Sequence, residues 1–132
     1  MIGLVLASHC GIAREILQAA ELILGPMNAV CALSVDYKQP LEESLRKLAE
    51  AVRSVDFGQG VIILTDLYGG TPANLSLTLA GPKVAVVCGM NLPMVIKFAE
   101  CRSKLSLTET ARQLVEYGKN NIYFVSQHLN HP

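Results

Sequence analysis

Val61-Ile62-Ile63-Leu64-Thr65-Asp66-Leu67-Tyr68-Gly69-Gly70-Thr71-Pro72-Ala73-Asn74 is the stretch on which the fold turns. Residues 61–65 are apolar or β-branched without polar alternation. Such a run reads as a strand covered on both faces, the central position of a sheet with parallel neighbours. Asp66 to Pro72 then read as a glycine-bearing loop. Residues 73–79 follow as a short helix, with Pro72 near its first turn.

Working outward from this unit, the same alternation repeats. Upstream, residues 2–7 form an apolar run of strand length that ends in Ser8-His9-Cys10-Gly11, and a helical pattern covers Ile12–Leu24 until Gly25-Pro26 stops it. Residues 29–35 read as the second strand, 36–40 as a turn and Leu41–Val55 as a helix whose Leu41, Leu45, Leu48, Ala49 and Val52 form one buried stripe. Downstream, residues 83–88 give a fourth strand, Gly89-Met90-Asn91-Leu92-Pro93 a turn, and 94–101 a helix. Ser106-Leu107-Thr108-Glu109 opens a last helix reaching about Tyr117, with Thr108 expected to cap it. Residues 122–126 read as a fifth strand and 128–132 as a frayed tail.

These elements predict one α/β domain over residues 1–132: a doubly wound, mainly parallel sheet of order 2-1-3-4, helices on both faces, and a C-terminal fifth strand running antiparallel. In such sheets the ligand crevice lies beyond the carboxyl ends of the strands, where the winding reverses. The loops after strands one, three and four are therefore the candidates.

Composition narrows the partners. The chain has 132 residues, 51% of them hydrophobic, 17% charged and 5% aromatic, with eleven basic and eleven acidic side chains. Zero net charge and the absence of Trp argue against nucleic-acid binding or a general pull toward an anionic membrane. A mean hydropathy of +0.35 favours self-association instead. No apolar run approaches the ~18 residues of a membrane span. The N-terminus lacks the basic flank of a secretory signal, and the four cysteines, Cys10, Cys31, Cys88 and Cys101, form no C-x-x-C pair. A reducing cytoplasmic location is expected, with Cys31 and Cys88 as small apolar residues of strands.

The chemistry gathers in the candidate loops. His9 is the one histidine outside the C-terminal tail, and Asp66 is one of three aspartates. If strands one and three are neighbours, the two side chains meet. A carboxylate that accepts the proton of one imidazole nitrogen leaves the other lone pair free to attack, so the pair constitutes a nucleophile. Gly69, Gly70 and Thr71 precede a helix whose unpaired amides suit an anion. No Lys or Arg, no G-x-x-x-x-G-K-[ST] and no carboxylate cluster for magnesium occurs in these loops. That combination favours a covalent phosphohistidine carrier over a nucleotide-consuming enzyme. A serine hydrolase lacks its G-x-S-x-G, and a zinc site lacks partner ligands for His9-Cys10.

Three ordered motifs, Ile2-Gly3-Leu4-Val5-Leu6-Ala7-Ser8-His9, Leu64 to Asn74, and Gly89-Met90-Asn91-Leu92-Pro93-Met94, resemble those of the mannose/fructose/sorbose-type enzyme IIA domain of the bacterial phosphoenolpyruvate-dependent sugar phosphotransferase system. Residues 20–25 fit as well, so the resemblance spans about the whole chain. It implies that His9 accepts a phosphoryl group on the nitrogen farther from its backbone, oriented by Asp66, with Thr71 and nearby amides holding the phosphate. It implies no cofactor and no metal. It also implies a donor, the histidine-containing phosphocarrier protein, an enzyme IIB acceptor, and a homodimer in which the C-terminal strand, near Ile122 to Ser126, is exchanged or packed across subunits. Leu67, Tyr68, Leu92 and Met94 are the expected docking surface. Two departures stand out: Cys10 replaces the family's usual Gly, and Ala73 a common Phe. With no linker or IIB-type domain expected after the fifth strand, a regulatory module whose His9 phosphorylation state controls binding to another protein, without sugar transport, is the alternative.

Overall fold

The computed structural model describes residues 1–128, arranged as β1 (Gly3–Ser8), α1 (Ile12–Leu24), β2 (Val30–Ser34), α2 (Leu41–Val55), β3 (Val61–Thr65), α3 (Thr71–Leu77), β4 (Val84–Cys88), α4 (Leu92–Cys101), α5 (Leu107–Asn120) and α6 (Val125–His128). The four strands make one parallel sheet in the order β2-β1-β3-β4, as expected. The winding reverses between β1 and β3.

Both faces of the sheet are buried. Leu4 and Leu6 of β1, with Ile62 and Leu64 of β3, pack against Ala13 and Ala20 of α1, Val95 and Phe98 of α4, and Leu114 of α5. The alternate residues Val5, Ala7, Val61 and Ile63 pack against Leu48, Val52 and Val55 of α2 and Leu75 of α3. The period of two that sends successive side chains to opposite faces explains why the central strands are apolar throughout.

From residue 106 onward the chain departs from expectation in two places. α5 begins at Leu107 because Ser106, not Thr108, caps it: Ser106 Oγ accepts the Glu109 amide at 3.2 Å and donates to Glu109 Oε1 at 2.9 Å. The spacing is that of an S-x-x-E capping box, with the glutamate meeting the serine hydroxyl here and not its backbone amide. The expected fifth strand at residues 122–126 is not formed in the described residues. Residues 122–124 lack regular structure and Val125–His128 make one helical turn. β-Branched and aromatic side chains favour a strand only when an edge is there to pair with, and this segment pairs with neither edge of its own four-stranded sheet. Ile122, Tyr123, Phe124 and Val125 are 60–77% exposed. Of the expected frayed tail, His128 closes α6, and residues 129–132 lie outside the described residues.

Candidate functional site

The register of the sheet builds the site. Ala7 of β1 pairs with Thr65 of β3, so the chain leaves the two strands at the same level and places His9 beside Asp66. Two hydrogen bonds join them. The Asp66 carboxylate accepts the His9 backbone N–H at 3.1 Å and stands 2.9 Å from His9 Nδ1, both through Oδ2. A carboxylate only accepts, so in the neutral imidazole this contact puts the proton on Nδ1 and leaves the lone pair on Nε2. The His9 side chain is 41% exposed and that of Asp66 9%: the acceptor sits in a rigid wall and the ring faces solvent.

Gly70 forms the floor under that ring. A Cβ at this position would lie 2.7 Å from His9 Cε1 and 3.3 Å from Nε2, so no larger residue fits without displacing the imidazole. Gly69 reaches Gly70 through a left-handed turn at φ +82°, and Gly70 is the residue before α3, whose first residue is Thr71. Gly70 is thus set against the ring, with Gly69 and Thr71 as its neighbours along the chain. Ala73, where the resembled family commonly has Phe, is buried. At the end of β3, Thr65 Oγ1 and Asp66 Oδ1 are buried with no hydrogen-bond partner among the described residues. Thr110 Oγ1 of α5 is a third such atom; orphaned buried oxygens are uncommon, and a role in chemistry is one of the explanations they admit.

The docking residues divide. Leu67 and Tyr68 are 58% and 85% exposed at the rim. Leu92 is half-buried against the core. Met94 is a correction: it is 2% exposed, because α4 starts at Leu92 and turns this position inward onto α5, where its Cγ and Sδ lie 2.8 Å from the place a Gly118 Cβ would occupy. The whole third loop serves as a brace. The amides of Gly89 and Met90 both donate to Thr65 O at 2.9 Å, and Asn91 joins α4 to α5 by accepting the Met94 amide and donating to Gly118 O.

A contribution from the β2 side was missed by a rule that looks only at the reversal point. A cavity of about 290 Å³ beside His9 is lined also by Cys10, Ser34, Val35, Asp36 and Tyr37. The signal was available in the strand order, since β2 is the other neighbour of β1 and Ser8 pairs with Ser34. Of the cysteines, Cys10 is exposed and Cys101 buried. Burial pushes the Cys31 thiol above its ordinary value, with a hydrogen bond to Ser54 opposing in part, so it stays a protonated thiol on its strand.

A doubly wound α/β domain that presents one oriented, solvent-facing imidazole at the reversal of its sheet is the class these observations define. Comparison with known proteins then gives the family. The family described as the PTS system fructose IIA component matches residues 3–115, and the chain belongs to it. YadI of Escherichia coli strain K12 is 30% identical over 122 residues, covering 89% of this chain and 82% of its own. The crystal structure of phosphotransferase system component EIIA from Streptococcus agalactiae superposes with a TM-score of 0.86 at 26% identity, over 96% of this chain and 99% of that one. The PTS IIA protein associated with the fucose utilization operon of Streptococcus pneumoniae does so with a TM-score of 0.86 at 29% identity, over 98% and 96%. No helix among the described residues is long and apolar enough to cross a membrane.

Proposed function

We propose that His9 is a phosphoryl carrier, taking the group on Nε2 from the histidine-containing phosphocarrier protein and passing it to an enzyme IIB component in sugar uptake. One observation carries this reading: Asp66 holds Nδ1 at 2.9 Å while Nε2 has no partner among the described residues. The Nε2 lone pair forms the new N–P bond in line as the donor's N–P bond breaks, and the departing electron pair returns to the donor imidazole. The His9 ring gains positive charge, which the Asp66 carboxylate offsets. Such a transition state is loose, so alignment and backbone donors near Gly69, Gly70 and Thr71 matter more than acid–base chemistry. The reaction draws on no cofactor or metal, and with these partners it is a reaction of the cytoplasm.

The dimer belongs to the same reading. β4 is an open edge of the sheet with Val84, Ala85 and Val86 half-exposed. A cavity of about 490 Å³ lies between it and α5, lined in part by Ala85, Val86, Val87, Ala111 and Val115. The exposed segment from Ile122 to Val125 is the apolar, β-prone piece that would fill such an edge in a second copy.

The test is phosphorylation. Incubation with phosphoenolpyruvate, the general phosphotransferase enzyme and the carrier protein is expected to label the chain, and His9→Ala to abolish labelling. Acid-labile phosphate retained in that variant overturns the assignment. Discharge of the labelled protein by a purified IIB component separates transport from the regulatory alternative, in which the label persists in the presence of IIB and controls binding to another protein.

A further inference from the structure

We infer that Ser34 is a positioning residue for His9, made necessary by the cysteine that follows it. The inference rests on His9 as the phosphoryl acceptor. Cys10 has φ +48°, a left-handed conformation that glycine adopts freely and that costs a residue with a Cβ roughly 1–2 kcal/mol. A position of that kind persists only where its surroundings over-determine it. Here they do so through carbonyls. Ser34 Oγ, reaching across from β2, donates to Cys10 O. Ser8 Oγ accepts the Ala13 amide at 2.8 Å and has a single proton for two acceptors, His9 O at 3.0 Å and Cys10 O at 3.4 Å.

Counting protons assigns the roles. Ser8 spends its one hydrogen on the nearer carbonyl, His9 O, so Ser34 is the dedicated donor for Cys10 O. The Val35 amide adds a second tie between the same strands by donating to Ser8 O at 2.9 Å. β2 therefore holds the end of β1 at two points on either side of the phosphoacceptor. The His9 amide that binds Asp66 Oδ2 lies between them. Released from Ser34, the Cys10 peptide relaxes out of the left-handed region, and the backbone that aims the ring moves with it. With glycine at position 10 there is no Cβ to drive that relaxation. Ser34 then becomes dispensable.

The experiment is a double-mutant cycle of Ser34→Ala with Cys10→Gly in the full chain, reading phosphorylation kinetics and the 15N spectrum of the His9 ring in unphosphorylated protein. With Cys10 present, Ser34→Ala is expected to lower the maximal labelling rate about fivefold, the weight of one hydrogen bond. The carrier concentration at half-saturation should stay within twofold, the ring resonances should show a mixture of tautomers, and Ser34→Thr should restore both. In the Cys10→Gly background, the loss from Ser34→Ala should fall below about twofold. Equal losses in both backgrounds, no loss in the Cys10 background, or a change confined to half-saturation overturns the inference. Should the parent protein fail to take phosphate at all, the carrier reading falls, and the tautomer signature in the four variants still decides the role of Ser34.

Discussion

At the scale of single residues, the site depends on a proton being on one nitrogen and a ring being in one place. Asp66→Asn keeps the shape of the side chain but offers an amide that can donate to Nδ1 and so favour the tautomer with the lone pair on the wrong nitrogen. Phosphoryl acceptance is expected to fall by about 100-fold or more, with the fold unchanged by circular dichroism; equal rates for variant and parent refute the orienting role. Gly70→Ala acts on place instead. Its methyl group would sit 2.7 Å from His9 Cε1, and the half-exposed ring can swing away with little cost to folding. We expect the melting temperature to hold within a few degrees while labelling drops about tenfold or more. A large loss of stability with normal labelling of the folded fraction would contradict this.

At the scale of elements, what could be read from the sequence and what could not follow from how local each signal is. The bounds of β3 and α2 were legible to the residue, since Val61–Thr65 is uninterrupted and Leu41–Val55 carries an apolar stripe between Pro40 and Asp56; Leu41, expected in that buried stripe, is instead exposed, because it opens the first turn beyond the reach of the sheet. The meeting of His9 with Asp66 needed only that their strands be neighbours. The contribution of Ser34 was less accessible, because it depends on lateral register between β1 and β2 and not on any motif. Met94 was misplaced because a helix start shifted by two residues rotates a side chain from rim to core. The start of α5 was ambiguous between two hydroxyls, and the Ser106–Glu109 reciprocity resolves it. Ser106→Ala should therefore cost about 1 kcal/mol in urea unfolding and Thr108→Ala only a few tenths; the reverse ranking would return the cap to Thr108.

At the scale of the whole molecule, the unfilled expectation is the fifth strand, and its absence in a single chain is informative. Ile122, Tyr123, Phe124 and Val125 expose 77%, 60%, 68% and 63% of their surfaces, a run of adjacent apolar side chains on a protein whose net charge is zero. A run of this type forms a patch that calls for cover. In the proposed dimer, pairing with β4 of a second copy would satisfy both the patch and the strand edge, and a twofold axis would make each exchange occur twice. Replacing Ile122 and Phe124 together by Asp removes about 2 kcal/mol of burial per side chain, hence roughly 8 kcal/mol over the two copies of a symmetric interface. That loss exceeds what a micromolar dimer can spare, since each 1.4 kcal/mol is about tenfold in affinity. Sedimentation at micromolar concentration should give a dimer for the parent and a monomer for Ile122→Asp/Phe124→Asp. A parent that sediments as a monomer, or a variant that stays dimeric, would assign the exposed C-terminal segment to some contact other than a second copy of this chain.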